Sequence, residues 1–303
     1  MESPDPSSAL PSLAVGTGPA PPAIEDLEFP YCLYAWACGT EEEADFLHYG
    51  LWKDGTESGK QAQENLALLV RSLIPDGVER ILDSGCGLGR TTADLTRDGY
   101  SVVGISPDEK LMELARARFG RHLPFRTVRF EDYADTDAFD LVLFQESSNY
   151  IGLRTLLRHS RELLRPRGYL LLCDEVRYGV KGVLAFHRRD LLVKLAGCLG
   201  FRLLSQRDIT REVMPTRAWV ADALAGNREE IIRRFRPRRE DVERELDQFL
   251  EDWDRHTAAF ESGHFGYEVF LFQWSGTPLS RLRCALSLAP AALGAAGRRF
   301  RRG

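Results

Sequence analysis

Residues 81–90 read ILDSGCGLGR, in which a short apolar run ends in an acid and glycines follow at positions 85, 87 and 89. Glycine has no Cβ and adopts backbone dihedrals that are closed to other residues, so such a loop can turn sharply and bring its backbone close to a ligand. In an open parallel sheet, ligands bind at the carboxyl ends of the strands, beside the helix that follows. The decapeptide therefore predicts an α/β fold whose ligand site includes this loop.

Strand and helix patterns alternate around the loop, which supports this fold class. Helical spacing of apolar residues precedes it in QAQENLALLVRSLI, and amphipathic segments separate the later strands. The order predicts a doubly wound, mostly parallel sheet of seven strands. The predicted strands are VERILDSG, YSVVGIS, VRF, FDLVLFQ, YLLLCDE, FRLLSQRDIT and GYEVFLFQW.

Composition divides the chain into three parts. Residues 1–28 are rich in Pro, Ser, Ala and Gly and are expected to be a disordered tail. Residues 29–275 are expected to form one domain, in which the charged, mostly helical stretch at about 212–262 forms a lid over the ligand site. Residues 276–303 have arginines at both ends of a small-residue apolar stretch. Two interpretations of this basic tail stay open, a loosely docked helix and a weak peripheral membrane contact through the arginines.

Charge and cysteine content narrow the function classes. The formal net charge of −5 argues against a nucleic-acid binder, because such proteins usually carry a basic surface, so a small molecule is the expected partner. The six cysteines form no CxxC pair and have no His at ligand spacing, which predicts reduced thiols in a cytoplasmic protein and no metal site. No apolar run reaches the roughly 20 residues that span a bilayer. The oligomeric state is left open.

The glycine spacing separates two cofactor classes. The dinucleotide fingerprint G-x-G-x-x-G needs a glycine at position 90, where this chain has Arg90. An acid followed by G-x-G-x-G instead resembles motif I of the class I S-adenosylmethionine-dependent methyltransferases. The resemblance covers about residues 60–175 and includes LLRHSRELLRPRGYLLLCDE, which is similar to the family's LxRxLRPGGxLxxxD run. It implies S-adenosyl-L-methionine as cofactor. The loop residues that it assigns to this cofactor are Asp83, Gly85, Cys86, Gly87 and Gly89.

Two further segments supply the rest of the implied cofactor site. Ser106 stands where the family usually has an acid that accepts both ribose hydroxyls, a departure that resembles the branch with cyclopropane-fatty-acid, sterol and tocopherol methyltransferases. A hydroxyl lacks the charge-assisted grip of a carboxylate, and Ser106 is alternatively only a helix cap. The resemblance assigns Asp132 to the adenine amino group, with Tyr133 beside it and Glu131 as a rival. Gln145, at the end of the fourth strand, is also assigned to the cofactor.

Three residues are candidates for the chemistry. Methyl transfer is an in-line displacement at a sulfonium carbon, so the protein mainly aligns the acceptor, excludes water and adjusts protonation. Glu146, just past the fourth strand, is predicted to be the base or a cation stabiliser, with a structural loop acid as the alternative. In LHYGLW, which resembles a stretch before motif I in small-molecule members, Tyr49 is predicted near the methyl group and His48 as an alternate base. The alternative for Tyr49 and for His48 is that each is an ordinary core residue without a role in the reaction.

The sequence thus predicts a small-molecule methyltransferase acting on an O, N or C acceptor of moderate hydrophobicity. Trp36, Trp52 and Tyr150 are candidates for lining an apolar acceptor pocket, although packing explains most aromatic residues as well. Two other functions stay open. One is a non-catalytic cofactor-binding or interaction protein on the same fold, and the other is an NAD(P)-dependent oxidoreductase, which Arg90 and Ser106 disfavour.

Overall fold

The structure is a computed structural model, and it describes residues 22–39, 45–135, 138–179 and 186–275. The predicted basic tail at 276–303 lies outside these ranges, as does most of the predicted tail at 1–28. No helix within them is long and apolar enough to cross a membrane.

The predicted doubly wound, mostly parallel sheet is confirmed. Its strands follow the order β3-β2-β1-β4-β5-β8-β7, with β6 paired to β5 beside this path. The pairings among β1 to β6 are all parallel, and β8 runs antiparallel to both β5 and β7. The strands are β1 Arg80–Ser84, β2 Ser101–Ser106, β3 Phe125–Thr127, β4 Phe139–Gln145, β5 Leu164–Arg177, β6 His187–Arg188, β7 Phe201–Asp208 and β8 Phe265–Trp274.

Ten α-helices are found in the described ranges, together with 3-10 turns at Ile24–Asp26, Phe130–Asp132 and Ser148–Tyr150. Four consecutive helices, α7 to α10, lie between β7 and β8 and are called the inserted helices below. The helices are α1 Tyr31–Cys38, α2 Gly59–Ser72, α3 Arg90–Arg97, α4 Glu109–Phe119, α5 Leu153–Leu163, α6 Arg189–Cys198, α7 Thr210–Val213, α8 Pro215–Gly226, α9 Arg228–Phe235 and α10 Val242–Glu261.

The central strands are apolar on both faces because helices cover each side of the sheet. In β4, Leu141 and Leu143 belong to one hydrophobic core, and Val142 and Phe144 belong to a second core on the other side. The first core also includes residues of α1 to α4 and of the inserted helices, while the second includes residues of α5 and α6. The sheet is therefore held rigidly between two layers, and its strand ends are fixed in place.

The inserted helices pack on the N-terminal segment, residues 22–38. Along α10, Leu246, Phe249, Trp253 and Phe260 are buried at helical spacing and form one apolar face. Tyr34 lies 5.8 Å from Trp253 between ring centroids. Trp36 of α1 makes an edge contact with Phe235 of α9 at 5.9 Å, and Arg239 donates a hydrogen bond of 2.9 Å to the carbonyl of Leu27. The N-terminal segment and the inserted helices thus form one packed layer.

Three predicted boundaries differ from the structure. The third strand was expected at VRF, but β3 lies at Phe125–Thr127 and Phe130 begins a 3-10 turn, because its ring packs in the core against Phe144. The predicted start of α4 at Ser106 lies inside β2, and the side chain of Asp108 is the actual N-cap. The amphipathic pattern of LRTLLRHSRELLRPRG predicts a helix that Pro166 and Gly168 end, but α5 ends earlier, at Leu163, and β5 begins at once.

Candidate functional site

A cavity of about 810 Å³ opens at the carboxyl ends of β1, β2 and β4. This edge lies where the strand order reverses between β1 and β4, which is the position at which ligands bind in doubly wound sheets. The wall is completed by the N-terminal segment through Glu28 and Tyr31, and by the stretch from Asp45 to His48. The predicted site residues on the wall are His48, Asp83, Gly85, Cys86, Gly87, Ser106, Gln145 and Glu146.

The three glycines of the loop have different tasks. A Cβ on Gly85 would lie 2.3 Å from the Cβ of Ser147, and one on Gly89 would lie 2.8 Å from Ala115, so both are needed for close packing of the protein itself. Gly87 also has a positive φ, of 53°, but the nearest atom to its added Cβ is a Leu47 methyl at 3.7 Å. Gly87 is therefore the glycine that leaves room on the cavity side.

The loop's amides are less exposed than its sequence indicated. The backbone N–H groups of Gly85 and Cys86 both donate to the carbonyl of Ile105, at 2.9 and 3.1 Å. The N–H of Gly89, which lies outside the cavity wall, donates to the carbonyl of Cys86. These three amides stabilise the turn, so a ligand in the cavity would rely on other groups for its hydrogen bonds.

Asp83 ends β1 as a buried acid on the cavity wall, with 2% of its surface exposed. Its Oδ2 accepts a hydrogen bond of 2.6 Å from the hydroxyl of Thr92 on α3. Burial raises the pKa of this carboxyl to about 6, since a charge in an apolar environment loses its hydration. A positively charged ligand nearby would favour the ionised form.

Ser106 lies on the cavity wall at the end of β2, and its hydroxyl accepts a hydrogen bond of 3.2 Å from the N–H of Asp108. Asp108 and Glu109, at the start of α4, also reach the wall. One oxygen of Asp108 accepts from the N–H of Leu111 and caps the helix. Ser106 thus shapes this turn and remains beside carboxylates that the sequence reasoning did not select.

The segment after β3 presents Glu131 to the cavity in place of Asp132. Glu131 lies on the wall, whereas the side chain of Asp132 is 69% exposed and lies outside it. Tyr133 is also outside the wall, and its carbonyl accepts a hydrogen bond of 2.9 Å from Nε2 of His159. The structure therefore brings the rival residue, and not the two assigned ones, to the cavity.

Two buried polar atoms at the cavity wall have no hydrogen-bond partner among the described residues, Nε2 of His48 and Nε2 of Gln145. Nδ1 of His48 lies 2.7 Å from the carbonyl of Tyr49, which can only accept, so Nδ1 carries the hydrogen and Nε2 presents a bare lone pair. Burial lowers the pKa of His48 to about 4, so the ring is neutral. Both atoms have almost no accessible surface, so a ligand would pair with them only after the surrounding side chains move.

The cavity wall carries an excess of acids. Its basic groups are engaged already, since Arg90 pairs with Asp45 at 2.5 Å and Lys110 donates to the carbonyl of Asp26 at 2.6 Å. Arg129 pairs with Glu131 at 3.2 Å. Such a wall attracts a cationic ligand, which fits the sulfonium cofactor that the resemblance implies. The acids are Glu28, Asp45, Asp83, Asp108, Glu109, Glu113, Glu131 and Glu146.

Glu146 follows β4 in a left-handed conformation, with φ at 55°, which is unusual for a residue with a side chain. Its N–H donates to the carbonyl of Cys173 on β5. Oε1 accepts two hydrogen bonds of 2.5 Å, from the N–H of Tyr49 and from the hydroxyl of Tyr267. Burial raises the pKa of Glu146 well above its usual range. A strained backbone thus places a half-buried carboxyl, held by two hydrogen bonds, at the cavity wall.

Tyr49 lies behind Glu146 and does not reach the cavity wall, which differs from its predicted position beside the methyl group. Its hydroxyl donates to Oε1 of Glu175 at 3.0 Å and accepts a hydrogen bond from Arg217 of α8. Its ring stacks on Tyr267 at 5.5 Å between centroids. Burial raises the pKa of Glu175 to about 7, and Arg217 opposes this rise.

Sequence reasoning missed Glu175, Arg217 and Tyr267. Glu175 is the last residue of the fifth predicted strand, YLLLCDE, so its strand-end position was a usable signal. A single arginine in a charged helical stretch carried none. Among the candidate aromatic residues, Tyr150 lies on the cavity wall, but Trp36 packs against Phe235 and Trp52 against Trp219.

Comparisons with known proteins show similarity to methyltransferases. A family model described as "Methyltransferase domain" matches residues 82–172. The O-methyltransferase cnsE of Penicillium expansum is 29% identical over 201 residues, which cover 58% of this chain and 72% of that protein.

Among solved structures, the [4+2]-cyclase SpnF matches with a TM-score of 0.68 at 22% identity, covering 84% of this chain and 97% of that one. The mycolic acid cyclopropane synthase CmaA1, complexed with SAH and CTAB, matches with a TM-score of 0.64 at 14% identity, covering 75% and 89%. Identities this low establish the shared fold and leave the reaction to be argued from the residues.

Proposed function

Because this chain is a class I S-adenosylmethionine-dependent methyltransferase of the small-molecule branch, we propose that its acceptor atom is a hydroxyl oxygen whose proton Glu146 removes. The observation that carries the proposal is the carboxyl of Glu146, which reaches the cavity wall and is held from behind by Tyr49 and Tyr267. A hydroxyl keeps its proton at neutral pH and needs a base during attack, whereas an alkene carbon offers no such proton. The named O-methyltransferase relative supports the same reaction.

When bound, S-adenosyl-L-methionine supplies an electrophilic methyl group on a positively charged sulfur. We assign Gly87 and Asp83 to the amino-acid part of this cofactor, since one leaves open space and the other is a buried acid. Ser106, assisted by Asp108, is assigned to the ribose, and Glu131 to the adenine amino group. The unpartnered Nε2 atoms of His48 and Gln145 complete the polar contacts.

Proton removal depends on how Glu146 is held. Both hydrogen bonds to its carboxyl end on Oε1, which leaves Oε2 for the acceptor's proton. The raised pKa makes the carboxylate a stronger base than an exposed glutamate would be. His48 is assigned a hydrogen-bonding role, because its pKa of about 4 makes it a weak base.

The mouth of the cavity indicates an uncharged aromatic or similarly flat acceptor. Tyr31 and Tyr150 lie there with Ile151, and Tyr150 is 73% exposed, which is unusual for a side chain of this size. The acid-rich wall disfavours an anionic acceptor. We further propose that the enzyme acts in the cytoplasm, which the buried cysteines Cys32, Cys38, Cys86 and Cys173 support, since they form no disulfide. A weak membrane contact through residues 276–303 stays a proposal, since they lie outside the described residues.

The test joins donor binding to product formation. Calorimetry should show binding of S-adenosylmethionine, and extracts incubated with enzyme and donor should yield a product that has gained the mass of one methylene on oxygen. We expect Glu146→Gln to bind the donor and to lose at least about a hundredfold in turnover. Binding without any methylated product would favour the cofactor-sensing alternative. Product methylated on carbon or nitrogen, or full turnover by Glu146→Gln, would contradict the proposed base and acceptor.

A further inference from the structure

Behind the cavity wall lies a group that we call the buried carboxyl cluster, formed by Glu146, Asp174, Glu175, Tyr49 and Arg217. Arg217 is 2% exposed and comes from the inserted helix α8, and its guanidinium lies 3.7 Å from the ring centroid of Trp253. It donates to the hydroxyl of Tyr49, which in turn donates to Glu175 at 3.0 Å. The same Tyr49 donates its N–H to Glu146. One tyrosine therefore touches two acids and the arginine.

The three acids of the cluster differ in the groups that stabilise a negative charge. Asp174 accepts four hydrogen bonds of 2.6 to 2.9 Å, from the N–H and hydroxyl of Ser148, the amide of Asn149 and the N–H of Glu175, so it can stay ionised. Glu175 faces Arg217 through the hydroxyl of Tyr49. Glu146 has two donors and no cation in contact among the described residues.

The charges in the cluster do not balance. The cluster holds three carboxyls and one guanidinium, which acts on Glu175 through the hydroxyl of Tyr49. An uncompensated charge in a buried site costs several kcal/mol, so one carboxyl should hold a proton. The other titratable groups that face Glu146 supply no positive charge. They are Tyr34 and Cys38 of α1, Tyr150, Cys173 of β5 and Tyr267 of β8.

We propose that Arg217 is a positioning residue that keeps Glu175 ionised, that Glu146 consequently holds a proton in the free protein, and that a cationic ligand entering the cavity expels this proton to solvent. The proton leaves from Oε2, and the carboxylate that remains is neutralised by the ligand's charge. The inference rests on the proposed function for the identity of the ligand and of the base. Its consequence is that the base is generated only in the donor-bound enzyme.

Proton release can be measured without knowing the acceptor. Calorimetric titrations near neutral pH in buffers of different ionisation enthalpy give the number of protons released per ligand bound. S-adenosylmethionine is compared with S-adenosylhomocysteine, which lacks the sulfonium charge but has the same amino and carboxyl groups, so their own titration cancels. We expect about one more proton to be released with the sulfonium ligand.

The pH dependence of the two ligand affinities should show the same coupling between ligand binding and proton release. Below the pKa of Glu146, the affinity for S-adenosylmethionine should rise by up to about tenfold per pH unit, with a much smaller change for S-adenosylhomocysteine. Equal release by the two ligands, or affinities that follow pH equally, would overturn the proposal. Both measurements use the unaltered protein, so they do not depend on a variant that folds.

Substitutions test which residues cause the difference in proton release between the two ligands. Glu146→Gln should bind both ligands and lose the difference in proton release. Arg217→Met should move that difference to lower pH, since Glu175 then holds a proton and no longer repels the charge on Glu146. Arg217→Lys restores the charge and should return the profile toward that of the unaltered protein. Glu251→Gln, an exposed acid on α10, is the matched control and should leave release unchanged.

Different experimental results would contradict this inference and the proposed function. If S-adenosylmethionine does not bind at all, the proposed function is wrong. If the donor binds and product forms while proton release is the same for both ligands, only the proton coupling is wrong.

Discussion

At the scale of single residues, the loop glycines offer a matched pair of substitutions. Gly87→Ala adds a methyl group where the nearest atom is 3.7 Å away, so we expect a stability loss of about 1 kcal/mol for the left-handed backbone and a clear loss of donor affinity. Gly85→Ala forces the methyl group into Ser147 at 2.3 Å, so we expect a stability loss of about 2 kcal/mol or more.

Thermal melts and donor calorimetry on both variants separate the two effects. If Gly87→Ala bound the donor as tightly as the unaltered protein, the space beside Gly87 would not belong to the ligand. If Gly85→Ala melted at the unaltered temperature, the close contact with Ser147 would not constrain the loop.

The site residues that could be predicted share one property, which is their position at a strand end. Asp83, Ser106 and Glu146 each end or directly follow a strand whose apolar run is legible, and all three lie on the cavity wall. Arg217 could not be predicted, because it meets Tyr49 across 168 residues of sequence and lies in a long, mostly helical stretch that is charged as a whole. Periodicity shows which face of a helix is buried but not which distant strand end it meets.

At the scale of elements, the N-terminal segment is held on the inserted helices by an ion pair, and we expect that weakening this pair makes the segment more mobile. Glu25 is 2% exposed and pairs with Arg234 of α9, and the same segment supplies Glu28 and Tyr31 to the cavity wall. We expect Glu25→Gln to raise amide hydrogen exchange in residues 24–38 and to weaken donor binding, because a neutral side chain holds the arginine less firmly.

The matched control is Glu230→Gln, whose carboxylate pairs with Arg233 on the same helix and is exposed. Hydrogen exchange followed by mass spectrometry on both variants compares the two ion pairs directly. If both variants left residues 24–38 equally protected, the ion pair of Glu25 would not hold the segment.

Among the elements, long buried strands were predicted more accurately than short edge strands. The predicted FDLVLFQ is the observed β4 because a strand with five of its seven residues buried between two helical layers leaves a clear apolar run. The three-residue β3 lies at the edge, pairs with β2 alone and has two exposed residues, so its sequence carries little signal. The strand was predicted at VRF instead, because Phe130 is apolar, although it lies in a neighbouring turn.

At the scale of the whole molecule, the buried acids predict how stability depends on pH. The pKa is raised to about 6 for Asp83 and to about 7 for Glu175, so the folded protein binds these protons more tightly than the unfolded chain. The stability that this provides is complete below the unfolded pKa values, near 4, and is lost as pH rises through 6 and 7. For Asp83 alone, the loss is worth about 3 kcal/mol.

We therefore expect the ligand-free protein to melt at a lower temperature at about pH 7.5 than at about pH 5, with a smaller difference in Asp83→Asn. Melting curves over this range test the expectation. A melting temperature that rises steadily with pH would show that the ionised forms of these carboxyls are the stable ones in the folded protein.

The packing of residues 22–38 on α8 to α10 also bears on how the chain acquires its structure. The segment that leaves the ribosome early has its partners, Phe235 and Trp253, in helices synthesised more than 190 residues later. Cys32, Leu33 and Trp36 therefore lack their native packing against the inserted helices while the strands before those helices are being synthesised. The N-terminal wall of the cavity gains its packing partners only after α10 has been synthesised, so nascent chains stalled before α10 should bind chaperones that recognise apolar segments.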